Sequence, residues 1–232
     1  MPISIEMEDR LPVTNTGEQH VPAVLLVDTS YSMSGAPIAE LNQGLKDFYT
    51  ALSQDDLAMG RAEVTVISFN SSVNVELGFR PAEEYVAPEL SASGCTSMNQ
   101  AMLMALDEIQ ARKDIYKQNG VKWYRPWLFV LTDGAPTDNS YESEAIQKVR
   151  SAIEGKKITY MPMGIGPGAD TKQLQKYYPE NCAQKIVLKA DAENFKSAFQ
   201  WLSASLTEIS HSNPNLGQVK VPDTPPDIVV GL

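Results

Sequence analysis

Two cysteines in 232 residues, Cys95 and Cys182, are too few for a disulfide framework and are not spaced as C-x-x-C. They read as reduced thiols of a cytoplasmic protein. The two histidines, His20 and His211, fall in expected loop or tail segments, and neither is assigned a catalytic role. No apolar run approaches the length of a membrane span. The first residues, MPISIEMEDR, carry acidic groups and no apolar core, so no secretory signal is expected there. Positive charge is also scarce. Nineteen Lys and Arg against 29 Asp and Glu leave a formal net charge of −10. That balance argues against nucleic acid or an anionic membrane as the main partner and suits the binding of a cation. Internal repeats and low-complexity tracts are absent as well.

What remains is the composition of a globular chain with one large domain and a full core. Residues 1–20 read as an N-terminal extension, with a weak strand signal at 3–7. Residues 21–210 read as the domain, and residues 211–232 as an extended, proline-rich tail ending in the apolar IVVGL.

The chain is organised around residues 24–34, VLLVDTSYSMS. Four apolar residues in a row, Val24, Leu25, Leu26 and Val27, fit a strand buried on both faces of a parallel sheet. Asp28, Ser30 and Ser32 then alternate with Thr29, Tyr31 and Met33. In an extended or looping segment alternate side chains point the same way, so one carboxylate and two hydroxyls can converge. Pro37 suits a helix start, and Ile38, Leu41, Leu45, Phe48 and Leu52 recur at helical spacing.

Residues 53–60 read as a turn-rich connection, with Asp55 and Asp56 solvated. Residues 62–69 alternate and are β-branched, and 73–79 repeat that pattern after a three-residue turn, so the second strand must run antiparallel at an edge. Small polar residues 91–97, including Thr96, precede a helix carrying Met98, Met102, Ala105 and Ile109, which is expected to stop at Asn119-Gly120. Residues 127–132, WLFVLT, are the best candidate for a central strand and run directly into Asp133-Gly134. Asn139 with Glu142 resembles a capping box for the next helix. A strand at 157–163 precedes Gly164, Gly166 and Gly168, which read as a turn rather than a dinucleotide fingerprint because the spacing is GxGxG and comes late. A short helix at 171–177, a short edge strand at 185–188 and a last helix capped by Asp191 complete the chain. The order βαββαβαβα predicts a doubly wound α/β fold: a mostly parallel central sheet, one antiparallel edge strand, and helices on both faces.

In such a sheet ligands collect at the carboxyl ends of the strands. Asp28, Ser30 and Ser32 would meet Thr96 and Asp133 there. Two carboxylates and three hydroxyls make an all-oxygen set suited to a hard cation, Mg²⁺ ahead of Mn²⁺ or Ca²⁺. D-x-S-x-S alone is weak, because Asp and Ser are common in turns. With Thr96 and the strand-ending TDG it resembles the metal-ion-dependent adhesion site (MIDAS) of von Willebrand factor type A (VWA) domains, over nearly all of residues 21–209. The resemblance implies a VWA, Rossmann-like fold without catalysis. It implies that Ser30, Ser32 and Thr96 are metal ligands, that Asp28 and Asp133 hold the ion and its waters, and that a partner protein supplies an Asp or Glu to the metal. Tyr31 stands where the family usually has glycine, and Cys95 where glycine is common.

The segments LLVDTSYSMSGAPI, NQGLKDF, YRPWLFVLTDGAPTD and MGIGPGAD, with the proline-rich C-terminus, are similar to the TerY proteins of bacterial tellurium-resistance gene clusters. That narrower resemblance implies a stress-response setting and partners among kinases or phosphatases of the same cluster. The competing reading is a Mg²⁺-dependent phosphatase or hydrolase with Asp28 as nucleophile. It would want a second carboxylate as acid or base, and position 30 is a serine.

Overall fold

The computed structural model describes residues 12–166, 168–182, 185–190, 195–212, 222–226 and 228–231, with residues 229–231 described by backbone alone. The expected strand at 3–7, the Asp191 cap and much of the tail lie outside the described residues.

The apolar run of the first strand has no exposed face. β1 (Val21–Asp28) is buried at every position and pairs in parallel with β2 (Ala62–Phe69) on one side and with β4 (Trp127–Thr132) on the other. Alternation along β1 divides the core. Val21, Ala23, Leu25 and Val27 face a cluster that includes Leu41, Leu45 and Phe48 of α1 (Ala36–Leu52) and Phe195, Phe199 and Leu206 of α6 (Phe195–His211). Val24 and Leu26 face the opposite cluster, with Met98, Met102 and Ala105 of α3 (Met98–Gln118) and Ala145 and Val149 of α4 (Glu142–Glu154). Helices therefore cover both faces of a mostly parallel sheet, as the alternation of elements predicts. Each fully buried Leu or Phe in these layers contributes about 1.5–3 kcal/mol relative to exposure. α1 and α6 approach closely at Gly44, where a Cβ would stand 2.2 Å from Cδ2 of Phe199.

β3 (Val73–Pro81) pairs antiparallel with β2 and forms the expected edge. β5 (Thr159–Ile165) follows β4 in parallel, and β6 (Val187–Ala190) follows β5. The tail then adds to what its sequence suggests. β7 (Ile228–Gly231) pairs antiparallel with β6, so the strand expected at 185–188 lies two residues later and is covered on its outer side. The full order is β3-β2-β1-β4-β5-β6-β7. The apolar end of the tail can pair because β6 offers free backbone groups; Ile228 is buried and Trp201 Nε1 donates to Pro222 O at 3.0 Å.

Other local readings are corrected. Residues 53–60 include a helix, α2 (Asp56–Arg61), which Asp55 caps by accepting from Ala58 N at 2.8 Å. Asp55 also meets His211 at 2.8 Å, so it is not simply solvated. Asn139 does not cap α4. A 3₁₀ turn spans Asn139–Tyr141, and Glu142 instead accepts from Gln173 and Lys176 of the segment containing α5 (Thr171–Gln175). The 157–163 strand begins two residues later. Of the histidines expected in loop or tail segments, His20 is buried and bridges to Trp123, and His211 ends α6.

His20 joins a buried polar cluster at the amino-terminal ends of the strands. Glu63, at the start of β2, accepts from Arg112 Nε at 2.5 Å and Nη2 at 2.7 Å, and from the Tyr116 hydroxyl. His20 Nδ1 lies 3.1 Å from Glu63 Oε1 and the ring stacks on Tyr116, whose other stacking neighbour is Trp123. Burial alone would raise the Glu63 carboxyl; contacts with His20, Arg112 and Tyr116 outweigh it and hold the group at about 2.

Candidate metal centre

The strand order places the site. β1 connects through α1 to β2 on one side, while the chain returns through α3 to β4 on the other, so the β1–β4 boundary is where connections diverge. Doubly wound sheets bind ligands at such a boundary, outside the carboxyl ends of the strands. Val27 lies opposite Leu131 in the register. Asp28 and Thr132 are thus neighbours across the ladder, and Asp133 is one residue beyond.

Hydrogen bonds then join the acidic and hydroxyl side chains. Asp28 accepts from Ser30 N at 2.8 Å through Oδ1 and from Thr132 Oγ1 at 2.5 Å through Oδ2. The Ser30 and Ser32 hydroxyls are 3.0 Å apart, and Ser32 Oγ donates to Asp133 Oδ1 at 2.8 Å. Ser30, Ser32 and Asp133 therefore form one row of side-chain oxygens, to which the Ser30 amide ties Asp28. Asp28 and Ser30 are buried, Asp133 half-buried and Ser32 exposed, so the row opens to solvent at one end.

Thr96 reaches the same edge on a loop tied to both others. Ser93 N donates to Thr29 O at 2.9 Å and Tyr31 N to Gly94 O at 3.1 Å. On the other side Thr96 N donates to Thr137 Oγ1 at 3.1 Å, and Thr137 N to Thr96 O at 2.9 Å. Gly94 has φ +71°, and a Cβ there would stand 2.3 Å from Ser71 Oγ, so a side chain would push this loop off its support. Thr96 is almost fully buried, just before α3.

The electrostatics are those of a site short of positive charge. Burial raises the Asp28 carboxyl to about 6 against the hydrogen bonds from Ser30 and Thr132 that lower it. Burial likewise raises Asp133, with the Ser32 hydroxyl opposing. Among the described residues no cationic side chain acts on either carboxyl. Two desolvated carboxylates with hydroxyls between them fit a hard divalent cation, which would supply the missing charge. Among the described residues no group of three carboxylate, imidazole or thiol side chains could hold a metal, so the hydroxyls are essential to any such site.

Three supporting residues were not singled out from sequence. Thr132 orients Asp28, Thr137 holds the Thr96 loop, and Asp138 caps α3 from outside the helix. Asp138 accepts from Asn99 N at 3.2 Å and Gln100 N at 2.8 Å, while Asn99 Nδ2 donates to it at 2.9 Å. α3 has no side-chain cap of its own at Ser97. The signal was present in the polar run after Asp133, but nothing in the chain order pairs Asp138 with residues 99 and 100. Asp138→Ala is expected to destabilise the fold by about 1–2 kcal/mol, the cost of losing a helix cap, and to loosen the Thr96 loop. Urea unfolding measures the first effect; a loss below about 0.5 kcal/mol, within the range of an ordinary surface substitution, would contradict it.

The von Willebrand factor type A domain profile matches residues 23–201. Inter-alpha-trypsin inhibitor heavy chain H4 of Sus scrofa is 28% identical over 218 residues, covering 82% of this chain and 22% of its own length. The chain thus spans about a fifth of that relative. Among solved structures, a von Willebrand factor type A protein from Catenulispora acidiphila superposes with a TM-score of 0.62 at 18% identity, over 82% of this chain and 43% of that one. The pilus adhesin SpaC of Lactobacillus rhamnosus GG gives 0.65 at 15% identity, over 82% and 30%. The vWF domain of the pili tip protein Mfa5 of Porphyromonas gingivalis gives 0.59 at 11% identity, over 89% and 98%. At these identities the structures speak for the fold.

Proposed function

The chain belongs to the von Willebrand factor type A domain family, and from that premise we propose that it is a non-catalytic, metal-dependent protein-binding module. Asp28, Ser30, Ser32, Thr96 and Asp133 would hold a divalent cation, Mg²⁺ ahead of Mn²⁺ or Ca²⁺. When bound, the cation supplies a Lewis-acidic position that accepts a carboxylate oxygen from an Asp or Glu of a partner protein. One observation carries this reading: the Ser30–Ser32–Asp133 row, with Asp28 tied to it by the Ser30 amide, which no basic side chain among the described residues neutralises.

The chain's own residues do the positioning. Thr132 and the Ser30 amide fix both oxygens of Asp28, and Ser32 fixes one oxygen of Asp133. Neutral hydroxyls, rather than further carboxylates, leave the bound charge incompletely compensated and so favour an acidic partner. Tyr31 is 74% exposed beside the site and forms its rim, where it would select among partners. On the TerY-like segments alone, the reading extends to a cytoplasmic stress-response system of the tellurite-resistance type, with a kinase or phosphatase as partner. No helix among the described residues is long and apolar enough to cross a membrane.

Calorimetric titration of Mg²⁺ into metal-free protein tests the site. One saturable site is expected in the wild type, weakened at least about tenfold in Thr96→Ala. Immobilised wild-type protein is then expected to retain a partner from a cell lysate in Mg²⁺ and release it in chelator. Equal Mg²⁺ binding by wild type and Thr96→Ala would sink the assignment.

A further inference from the structure

At the end of the sheet remote from the candidate metal centre, an acidic chain turns basic. β4 and β5 begin there, roughly 20 Å from Asp133 by the length of a six-residue strand. A groove of about 480 Å³ lies between the carboxyl-terminal half of α3, the segment before β4 and the turn between α4 and β5. Lys113, Arg125, Lys156 and Lys157 line it, with Trp123 and Pro126 as its apolar surface. A second groove of about 450 Å³ runs on between α3 and α4; it shares Lys113 and Lys157 and adds Ile109 and Ile158. Among the described residues no carboxylate lines either groove, although acids outnumber bases by 29 to 19 in the chain.

The cations are placed, not merely present. Lys113 is nine-tenths buried, and its ammonium donates to the Lys157 carbonyl at 2.7 Å. Its pKa is lowered to about 8, first by burial and then by Lys157 and Lys117. The neighbouring acid Asp114 is turned to Gln110 and Lys117 on the helix surface. Arg125, Lys156 and Lys157 are exposed, and among the described residues no ion pair holds any of them. Like charges gathered around a concave surface repel one another, and an anionic occupant relieves that repulsion.

We propose that this double groove is a second docking site, which takes an acidic peptide segment of a protein partner with apolar side chains among its Glu or Asp residues. The apolar floor and elongated shape distinguish such an occupant from a free phosphate, which needs neither Trp123 nor Ile158. The net charge of −10 disfavours nucleic acid, which would meet repulsion beyond the groove. Two sites at opposite ends of one sheet would let a single module hold two acidic partners, or two segments of one.

Fluorescence anisotropy of a fluorescein-labelled peptide alternating glutamate and leucine tests this on the full chain. Saturable binding is expected, falling with added salt and weakened at least about tenfold in the double variant Arg125→Glu/Lys156→Glu. Both side chains are exposed, so an unchanged melting temperature checks the fold. Binding must persist in chelator and in Ser30→Ala; loss in either would mean the peptide had gone to the metal centre, and the docking proposal would be overturned. No saturable binding, or equal binding by wild type and double variant, would also overturn it. Inorganic phosphate or a single-stranded oligonucleotide that outcompetes the peptide at this face would replace the acidic-peptide assignment with a phosphate one.

Discussion

Asp28→Asn is expected to abolish the thermal stabilisation that Mg²⁺ confers on the wild-type protein, while leaving the metal-free variant at least as stable as the metal-free wild type. Asparagine keeps the size of the side chain and an oxygen for Ser30 N, but it removes a buried charge that no cation among the described residues offsets. A ligand that binds only the folded state at a hundred times its Kd adds about 2.7 kcal/mol. For a domain of this size that corresponds to a rise of roughly 5–10 °C in melting temperature. The two halves of the result separate a metal centre from a structural cluster. If Asp28 merely held the β1–β4 boundary through Ser30 and Thr132, the Asn variant would melt lower with or without Mg²⁺. Scanning calorimetry with Mg²⁺ and with chelator reads both. A Mg²⁺-dependent shift that survives in Asp28→Asn would remove Asp28 from the site.

The second large effect lies at the opposite end of the strands. Arg112→Ala is expected to cost about 3–5 kcal/mol, because it leaves the Glu63 carboxylate buried without its guanidinium. The double variant Glu63→Met/Arg112→Leu should recover much of that loss, since both charges are then gone and the volume is kept. The same cluster sets an acid limit. The Glu63 carboxyl is held at about 2 in the folded protein against an ordinary 4.5. A carboxyl depressed on folding stabilises above its unfolded value and loses that contribution as pH falls through its folded one. About 3 kcal/mol should therefore disappear between pH 4.5 and pH 2. Urea unfolding across that range should show a smaller acid loss in Glu63→Gln than in the wild type; equal losses would show that other groups govern acid stability. Mg²⁺ binding should be unchanged in the Arg112 variants, because the cluster and the candidate metal centre sit at opposite ends of β1 and β2.

Much of the fold was legible before any coordinates. Val24 to Val27 and WLFVLT fitted strands buried on both faces, and the recurrence of Leu41, Leu45, Phe48 and Leu52 fitted a helix against them. What escaped was local. The Asp55 cap that starts α2 looks like any acidic turn until Ala58 N is found pointing at it. Asn139 and Glu142 have capping-box spacing, yet Glu142 is drawn to Gln173 and Lys176, residues of a distant segment. The pairing of β7 with β6 depended on a vacant sheet edge, which the tail's composition does not reveal.

The site divides in the same way. The residue types Asp, Ser, Ser, Thr and Asp, and their positions after strands or before a helix, were settled by the chain itself, because a strand that ends in a polar loop displays that loop at the sheet's edge. Which of these atoms meet was settled by tertiary structure. The β1–β4 register sets Thr132 beside Asp28, and Ser32 reaches Asp133 across 101 residues of sequence. The same holds for the basic groove. Lys113, Arg125, Lys156 and Lys157 are unremarked along an acidic sequence and become one surface only where α3, β4 and the α4–β5 turn come together. Periodicity and residue chemistry act between near neighbours and so can be read in order; register, burial and charge clustering depend on which distant segments are packed side by side.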